Sequence, residues 1–222
     1  APTLRSEESS EENIFSSDIR PANFPVITIG REYGSGGHEI GEMVARELGI
    51  PFYDNSMMEM VAKESGLSES IVRDYDQRLP HSLLFELVTQ DFTIPIEQSM
   101  SRKDALFVAQ SRVIRKLAAE GPCVIVGRCS NYILRGNPAC IHLFLRASDD
   151  YKAKRAVSYY GIDKENAYAH VSRINSVRRD HYTYFTERTW GNPADYDAVF
   201  DTSRLEAASI VEAVKGLVKV KP

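Results

Sequence analysis

Apolar runs alternate along this chain with stretches whose apolar positions recur every three to four residues. "FPVITIG" (24–30) is apolar and β-branched, as a buried strand of a parallel sheet should be. "HEIGEMVARELG" puts Ile40, Met43, Val44 and Leu48 on one helical face and stops at Gly49. "IPFYD" is a short second strand, followed by the helical "NSMMEMVAKESG". From Leu67 to Ser101 two helices and a Pro-interrupted segment, "FTIPIEQSM", are expected. "DALFVAQSRVIRKLAAEG" is a long amphipathic helix leading into "CVIVGR", the most strand-like run of all.

"CIHLFLRA" is the fourth strand and "SDDYKAKRAVSYYG" a helix capped by Ser148. A charged helix, "DKENAYAHVSRINSVRRDHYTYF", precedes a fifth strand, "YDAVFDTS", and the closing helix "RLEAASIVEAVKGLVKV". Strand and helix in repeated alternation mean an α/β fold, with parallel pairing and helices on both sheet faces.

Residues 1–23 stand apart. They are rich in serine and glutamate and lack any period, which reads as a solvated acidic tail. Ile14, Phe15 and Ile19 offer it a way to dock on the body or on the second subunit of a homodimer. The remaining 24–222 is one domain with added subdomains, and the 222-residue chain is long enough to bury a full core.

Composition changes this picture little. The chain is 43% hydrophobic and 26% charged, as globular proteins are. A net charge of −4, from 27 basic and 31 acidic side chains, argues against coating a nucleic acid polymer but leaves room for nucleotide-sized anions. Cys123, Cys129 and Cys140 show no CxxC spacing and read as free thiols in a reducing cytoplasm. No apolar run approaches the roughly 20 residues that span a bilayer, so no membrane partner is expected.

The chemistry begins at "VITIGREYGSGGHEIG" (26–41). A strand runs into a glycine-rich turn and then at once into a helix. Backbone N–H groups at such a helix start point toward an anion, and glycines let the chain curl around phosphate. The usual loop, G-x-x-x-x-G-K-S/T, carries a lysine that is absent here. Laid on the short form G-x-x-G-x-G-K-G-S/T, Arg31 replaces the first glycine, Gly34 and Gly36 match, Gly37 replaces the lysine and Glu39 the hydroxyl residue.

Gly34, Ser35, Gly36, Gly37, His38 and Glu39 are therefore the candidate nucleotide-binding residues. Arg31 and His38 are the candidate substitutes for the lysine charge. Of the two, Arg31 is always charged and forked. Alternatively, Arg31 pairs with Glu32 or Glu39 and shapes the loop.

"ITIGREYGSGGHEIG", "LGIPFYD", "CVIVGRCSNYIL" and "RRDHYTYFTERTWGNPADYDAVFDTSRL" together resemble the cytidylate kinase-like family, over about residues 25–218. The resemblance implies a P-loop kinase fold with a five-stranded parallel core, a helical acceptor-binding insertion at about 55–101 and a lid at about 150–190. It implies ATP with magnesium as donor, and a nucleoside monophosphate such as CMP or dCMP as acceptor.

Arg128, after the third strand, matches the arginine that grips the acceptor phosphate in cytidylate kinases. Arg173, Arg178 and Arg179 lie where the family keeps lid and acceptor arginines, and Arg155 is a further lid candidate. Adjacent Arg178 and Arg179 point about 100° apart on a helix and need not share a ligand. Asp54 ends the second strand, where a carboxylate can hold the acceptor or a magnesium-bound water. Glu39, in the helix's first turn, is the other magnesium candidate.

The departures are as specific. Met60 stands where cytidylate kinases carry an arginine, and Val126 and Cys129 replace two acids beside Arg128. Two alternatives follow: a kinase of another small acceptor, or an inactive nucleotide-binding regulatory protein. His142 reads as a satisfied core histidine, and Ser35 lacks partners for nucleophilic catalysis. Tyr182, Tyr184, Phe185 and Trp190 are expected to cover the lid's hinge or a subunit contact.

Overall fold

A computed structural model describes residues 25–54, 57–65 and 102–220. The expected acidic tail and most of the expected insertion, including the two helices and the Pro-interrupted segment, lie outside the described residues. Five strands form one parallel sheet: β1 (Val26–Arg31), β2 (Phe52–Tyr53), β3 (Cys123–Val126), β4 (Cys140–Arg146) and β5 (Ala198–Asp201). Their order across the sheet is β2-β3-β1-β4-β5. The central β1 pairs with β3 from Val26 opposite Cys123 and with β4 from Val26 opposite Cys140.

Alternation along β1 sends its residues to two cores. Ile27 and Ile29 pack with helix α1 (Gly37–Leu48) and helix α7 (Ala207–Val220). Val26 faces the other side, toward helix α2 (Met57–Ser65) and helix α3 (Arg102–Glu120). Ile27 and Ile29 are wholly buried, and each contributes about 1.5–3 kcal/mol relative to exposure. Thr28 is equally buried, and its hydroxyl is satisfied at 2.7 Å by His142 Nδ1, so His142 is a core partner.

Short helix α4 (Ser130–Ile133) follows β3; its sequence carried no periodic signal. Helix α5 (Asp149–Tyr160) begins at Ser148, whose hydroxyl accepts the Tyr151 N–H, and stops at the left-handed Gly161. After a 3₁₀ turn, helix α6 (Ala167–Thr186) runs back toward the sheet. All three cysteines are free and buried. Burial pushes the Cys123 and Cys129 thiols up to about 12. No described helix is long and apolar enough to cross a membrane.

Candidate active site

The glycine-rich loop occupies the carboxyl edge of the sheet, between β1 and α1. Gly34 and Gly36 take φ of +83° and +78°, left-handed values that other residues adopt only with strain. Ser35 is wholly buried, and its hydroxyl donates to the Glu32 carbonyl at 2.8 Å, closing the turn. All four residues from Gly34 to Gly37 are buried, with helix α5 against Gly34 and Gly36 and the Arg31 stem against Gly37. A side chain on Gly34 would start 2.9 Å from the Lys152 carbonyl oxygen.

Arg31 explains the missing lysine. Its stem crosses Gly37 so closely that a Cβ there would stand 2.6 Å from Arg31 Cβ and Cγ. Its guanidinium then passes over Gly127, at the end of β3, where a Cβ would have to displace it. It ends with Nη2 3.6 Å from Asp54 Oδ1, beyond β2. Thus the arginine spans the ends of three neighbouring strands in their order across the sheet. Its nearest acid is neither Glu32 nor Glu39. Asp54 is 7% exposed, and its other oxygen lies 2.7 Å from His38 Nδ1. Arg31 and His38, the two lysine substitutes, thus converge on one carboxylate.

Both loop glutamates have partners from α5. Glu32 Oε2 accepts from the Lys152 ammonium at 2.9 Å and from the Ala147 N–H at 3.0 Å. Lys152 is 6% exposed and also meets Asp149 at 2.9 Å. Burial works against its charge, but hydrogen bonds to Asp149 and Glu32 outweigh this and hold its pKa above the ordinary value. Glu39 Oε1 accepts from Arg155 Nη2 at 2.7 Å. Glu39 Oε2 is buried without a hydrogen-bond partner, and so is Arg155 Nε.

An orphaned carboxylate oxygen in the first turn of the loop helix is a fit for magnesium. Both Asp54 oxygens already face partners, Arg31 and His38. Among the described residues no cluster of three or more His, Cys, Asp or Glu is placed to hold a metal ion.

Helix α6 closes the site from the side. Asn175 Oδ1 accepts the Tyr33 N–H at 2.7 Å, and Arg178 Nη1 donates to the Arg31 carbonyl at 3.2 Å. The Tyr33 ring lies against Tyr160 and His170, with centroids 5.0 and 5.3 Å away. Arg178 and Arg179 do point apart: the first is half-buried at the loop and the second is exposed. Arg173 is exposed beside His170, whose pKa is lowered by burial and then by the Arg173 charge.

Arg128 stands half-buried at the carboxyl end of β3, in a turn of unusual backbone. Gly127, Arg128 and Cys129 all have left-handed φ, at +79°, +56° and +56°. Two consecutive non-glycine residues in that region are a source of strain. The turn leads into α4, where Asn131 Nδ2 donates to the Tyr182 hydroxyl at 2.9 Å in a buried contact. Of the other aromatics, Trp190 meets Phe144 edge-on, Phe185 stacks on Phe107, and Tyr184 is exposed.

A cavity of about 200 Å³ opens beside the loop between Gly36, Glu39, Met43, Tyr151, Arg155 and Thr202. A second, of about 380 Å³, is lined by Glu32, Arg146, Lys152, Asp201, Ser203 and Arg204, among others.

The composition of the loop pointed to Arg31, Glu39 and the glycines. Lys152, Asn175 and the Asn131–Tyr182 pair carried only a faint signal, as polar residues at positions the helical period assigns to a buried face.

The chain superposes on a crystal structure of an uncharacterized protein from Eubacterium ventriosum ATCC 27560, with TM-score 0.66 and 25% identity over 88% of this chain and 98% of that one. It is also similar to a shikimate kinase from Bacteroides thetaiotaomicron (TM-score 0.53, 14% identity, covering 89% and 99%). A gluconokinase from Sinorhizobium meliloti 1021 gives TM-score 0.54 and 16% identity, covering 90% and 95%. The last two likenesses show the fold alone, that of P-loop kinases. No curated protein matches the chain. The sequence pattern of the cytidylate kinase-like family matches residues 26–204, and the chain belongs to that family.

Proposed function

We propose that the protein transfers the γ-phosphoryl group of ATP to a small acceptor held at Arg128, with a nucleoside monophosphate such as CMP or dCMP as the first acceptor class. The observation that carries this reading is the course of Arg31, from the loop past Gly127 to Asp54. It puts a permanent, forked positive charge across the place where donor and acceptor phosphates would meet. Phosphoryl transfer needs positioning and charge neutralisation more than covalent chemistry.

In this reading the backbone of Gly34 to Gly37 and the start of α1 cradle the donor phosphates. Arg31 and Arg178 offset charge on the migrating group, and Arg128 holds the acceptor from the carboxyl end of the neighbouring strand β3. Arg155 exchanges Glu39 for nucleotide. Arg173 and Arg179, exposed on α6, come into play when residues 150–190 close as a lid over the phosphates. Magnesium, held by Glu39 and through water by Asp54, would supply charge neutralisation between the phosphates.

A second reading, a kinase of another small phosphorylated or hydroxylated acceptor, is favoured by Met60. It is 39% exposed on α2, at the place where cytidylate kinases carry an arginine.

One screen tests both. Nucleoside monophosphates and small hydroxyl compounds are offered with magnesium and ATP, and ADP production is followed. Turnover with CMP or dCMP supports the first reading, and turnover only with another acceptor supports the second. Slow ATP hydrolysis that no acceptor stimulates would mean a nucleotide-binding regulatory protein.

A further inference from the structure

Three residues of α6 stand at i, i+3 and i+7 and so share one helix face: Asn175, Arg178 and Tyr182. Each makes a polar contact with a different part of the site. Asn175, 6% exposed, accepts the Tyr33 N–H in the phosphate loop. Arg178 donates to the Arg31 carbonyl at the loop's start. Tyr182, 3% exposed, accepts from Asn131, three residues past Arg128.

One helix therefore grips both the loop and the turn that carries Arg128. With a rise of about 1.5 Å per residue, Asn175 and Tyr182 lie about 10 Å apart along a stiff rod.

The sheet already joins the two gripped segments: β1 pairs with β3, the Gly127 N–H donates to the Ile29 carbonyl at 2.9 Å, and the Arg31 guanidinium passes over Gly127. The backbone conformation of each segment is the costly part. The loop depends on left-handed glycines, and the Arg128 turn holds two non-glycine residues in the same strained region. Such a turn relaxes unless its surroundings over-determine it. The buried Asn131–Tyr182 hydrogen bond is placed to do so. Its loss would leave the Asn131 amide without the acceptor it meets there, a costly state in a buried site.

We propose that Asn175 and Tyr182 are positioning residues, through which α6 holds the backbone conformations of the phosphate loop and of the Arg128 turn. Asn175 acts on the donor side through Tyr33, and Tyr182 acts on the acceptor side through Asn131. The proposal rests on the phosphotransferase reading given above. It adds that donor and acceptor alignment are separately adjustable from one helix face.

The test compares Tyr182→Phe, Asn175→Ala and Asn175→Asp with the wild-type chain. Calorimetric titration gives the ATP Kd, and steady-state kinetics with whichever acceptor the wild type uses gives acceptor KM and kcat. Amide hydrogen exchange is followed over 33–36 and 127–131. Loss of one buried hydrogen bond predicts a change of about tenfold in the affected parameter.

Tyr182→Phe should raise the acceptor KM and speed exchange at 127–131 while leaving the ATP Kd near the wild-type value. Asn175→Ala should weaken ATP and speed exchange at 33–36. Asn175→Asp, which keeps an acceptor for the Tyr33 N–H, should recover most of the loss. Equal loss of donor and acceptor binding in both variants, or exchange that rises evenly through the protein, would overturn the proposal and leave two ordinary core contacts. If the wild type phosphorylates no acceptor, the phosphotransferase reading fails on its own account. The exchange pattern then decides the positioning role: local acceleration supports it, and uniform acceleration overturns it.

Discussion

Arg31 Nη2 lies 3.6 Å from Asp54 Oδ1, and the side chain that makes this contact fills the space above Gly37 where P-loop kinases keep a lysine. With Arg31 in this course, a Cβ at position 37 would stand 2.6 Å from its stem. The two sites therefore form a unit.

Gly37→Lys alone should not restore a conventional loop. Its Cβ would collide with the Arg31 stem, so ATP affinity should fall by about tenfold or more, in line with the cost of overpacking a close contact. The double change Arg31→Gly with Gly37→Lys should recover part of that loss. Arg31→Ala should lower both ATP affinity and turnover, and Arg31→Lys should rescue only part, since a point charge replaces a fork. ATP titrations of the four variants, with thermal melts to check folding, test the unit. Additive effects of the two changes would break it.

Arg128→Ala should raise the acceptor KM or lower kcat by about ten- to a hundredfold, the loss of a charge-assisted clamp at about 1.5–3 kcal/mol. ATP affinity should change little. Equal loss of donor binding would put this arginine on the wrong side of the reaction.

Lys152→Met breaks the link between Glu32 in the loop and the first turn of α5. Removing one partner of a buried pair costs about 3 kcal/mol, read as a fall in the urea midpoint. The pH signature follows from the raised lysine pKa. Stability from the pair is complete below the ordinary 10.5 and is lost as pH rises through the raised folded value. The wild-type chain should therefore lose stability above about pH 10.5 more steeply than Lys152→Met does. Parallel alkaline limbs would show that the pair contributes nothing.

Residues 161–166 join α5 to α6 and are mostly exposed, so this is where a protease should cut the free protein. If 150–190 closes as a lid, a bisubstrate nucleotide analogue should slow that cleavage. Unchanged cleavage in the presence of demonstrated binding would remove the lid.

The order of strands and helices was legible because each buried strand is a short apolar run and each helix repeats its apolar face. The loop was legible from Gly34, Gly36 and Gly37 between a strand and a helix. The partner of Arg31 was not. Sequence proximity favours Glu32 and Glu39, but strand order places β3 and then β2 beside β1, so the long side chain reaches Asp54 instead. The helical period likewise puts Lys152 and Arg155 on one face of α5, yet it does not say which surface that face meets. In the structure it meets the loop, and Glu32 and Glu39 are thereby taken. Asn175 and Tyr182 are harder still, because their roles depend on contacts between elements far apart in the chain.

The pairing of the central strand also governs how the chain can assemble. β1 is synthesised first of the five strands, but both of its neighbours, β3 and β4, come after helix α3. Until Cys123–Val126 has emerged, Ile27 and Ile29 have no strand to pair with, and the glycine loop has no sheet edge to sit on. Parallel sheets built from such distant partners nucleate slowly and expose apolar edges meanwhile. About 85 residues separate the loop from β3, so the phosphate cradle is made well before the sheet edge that will hold it.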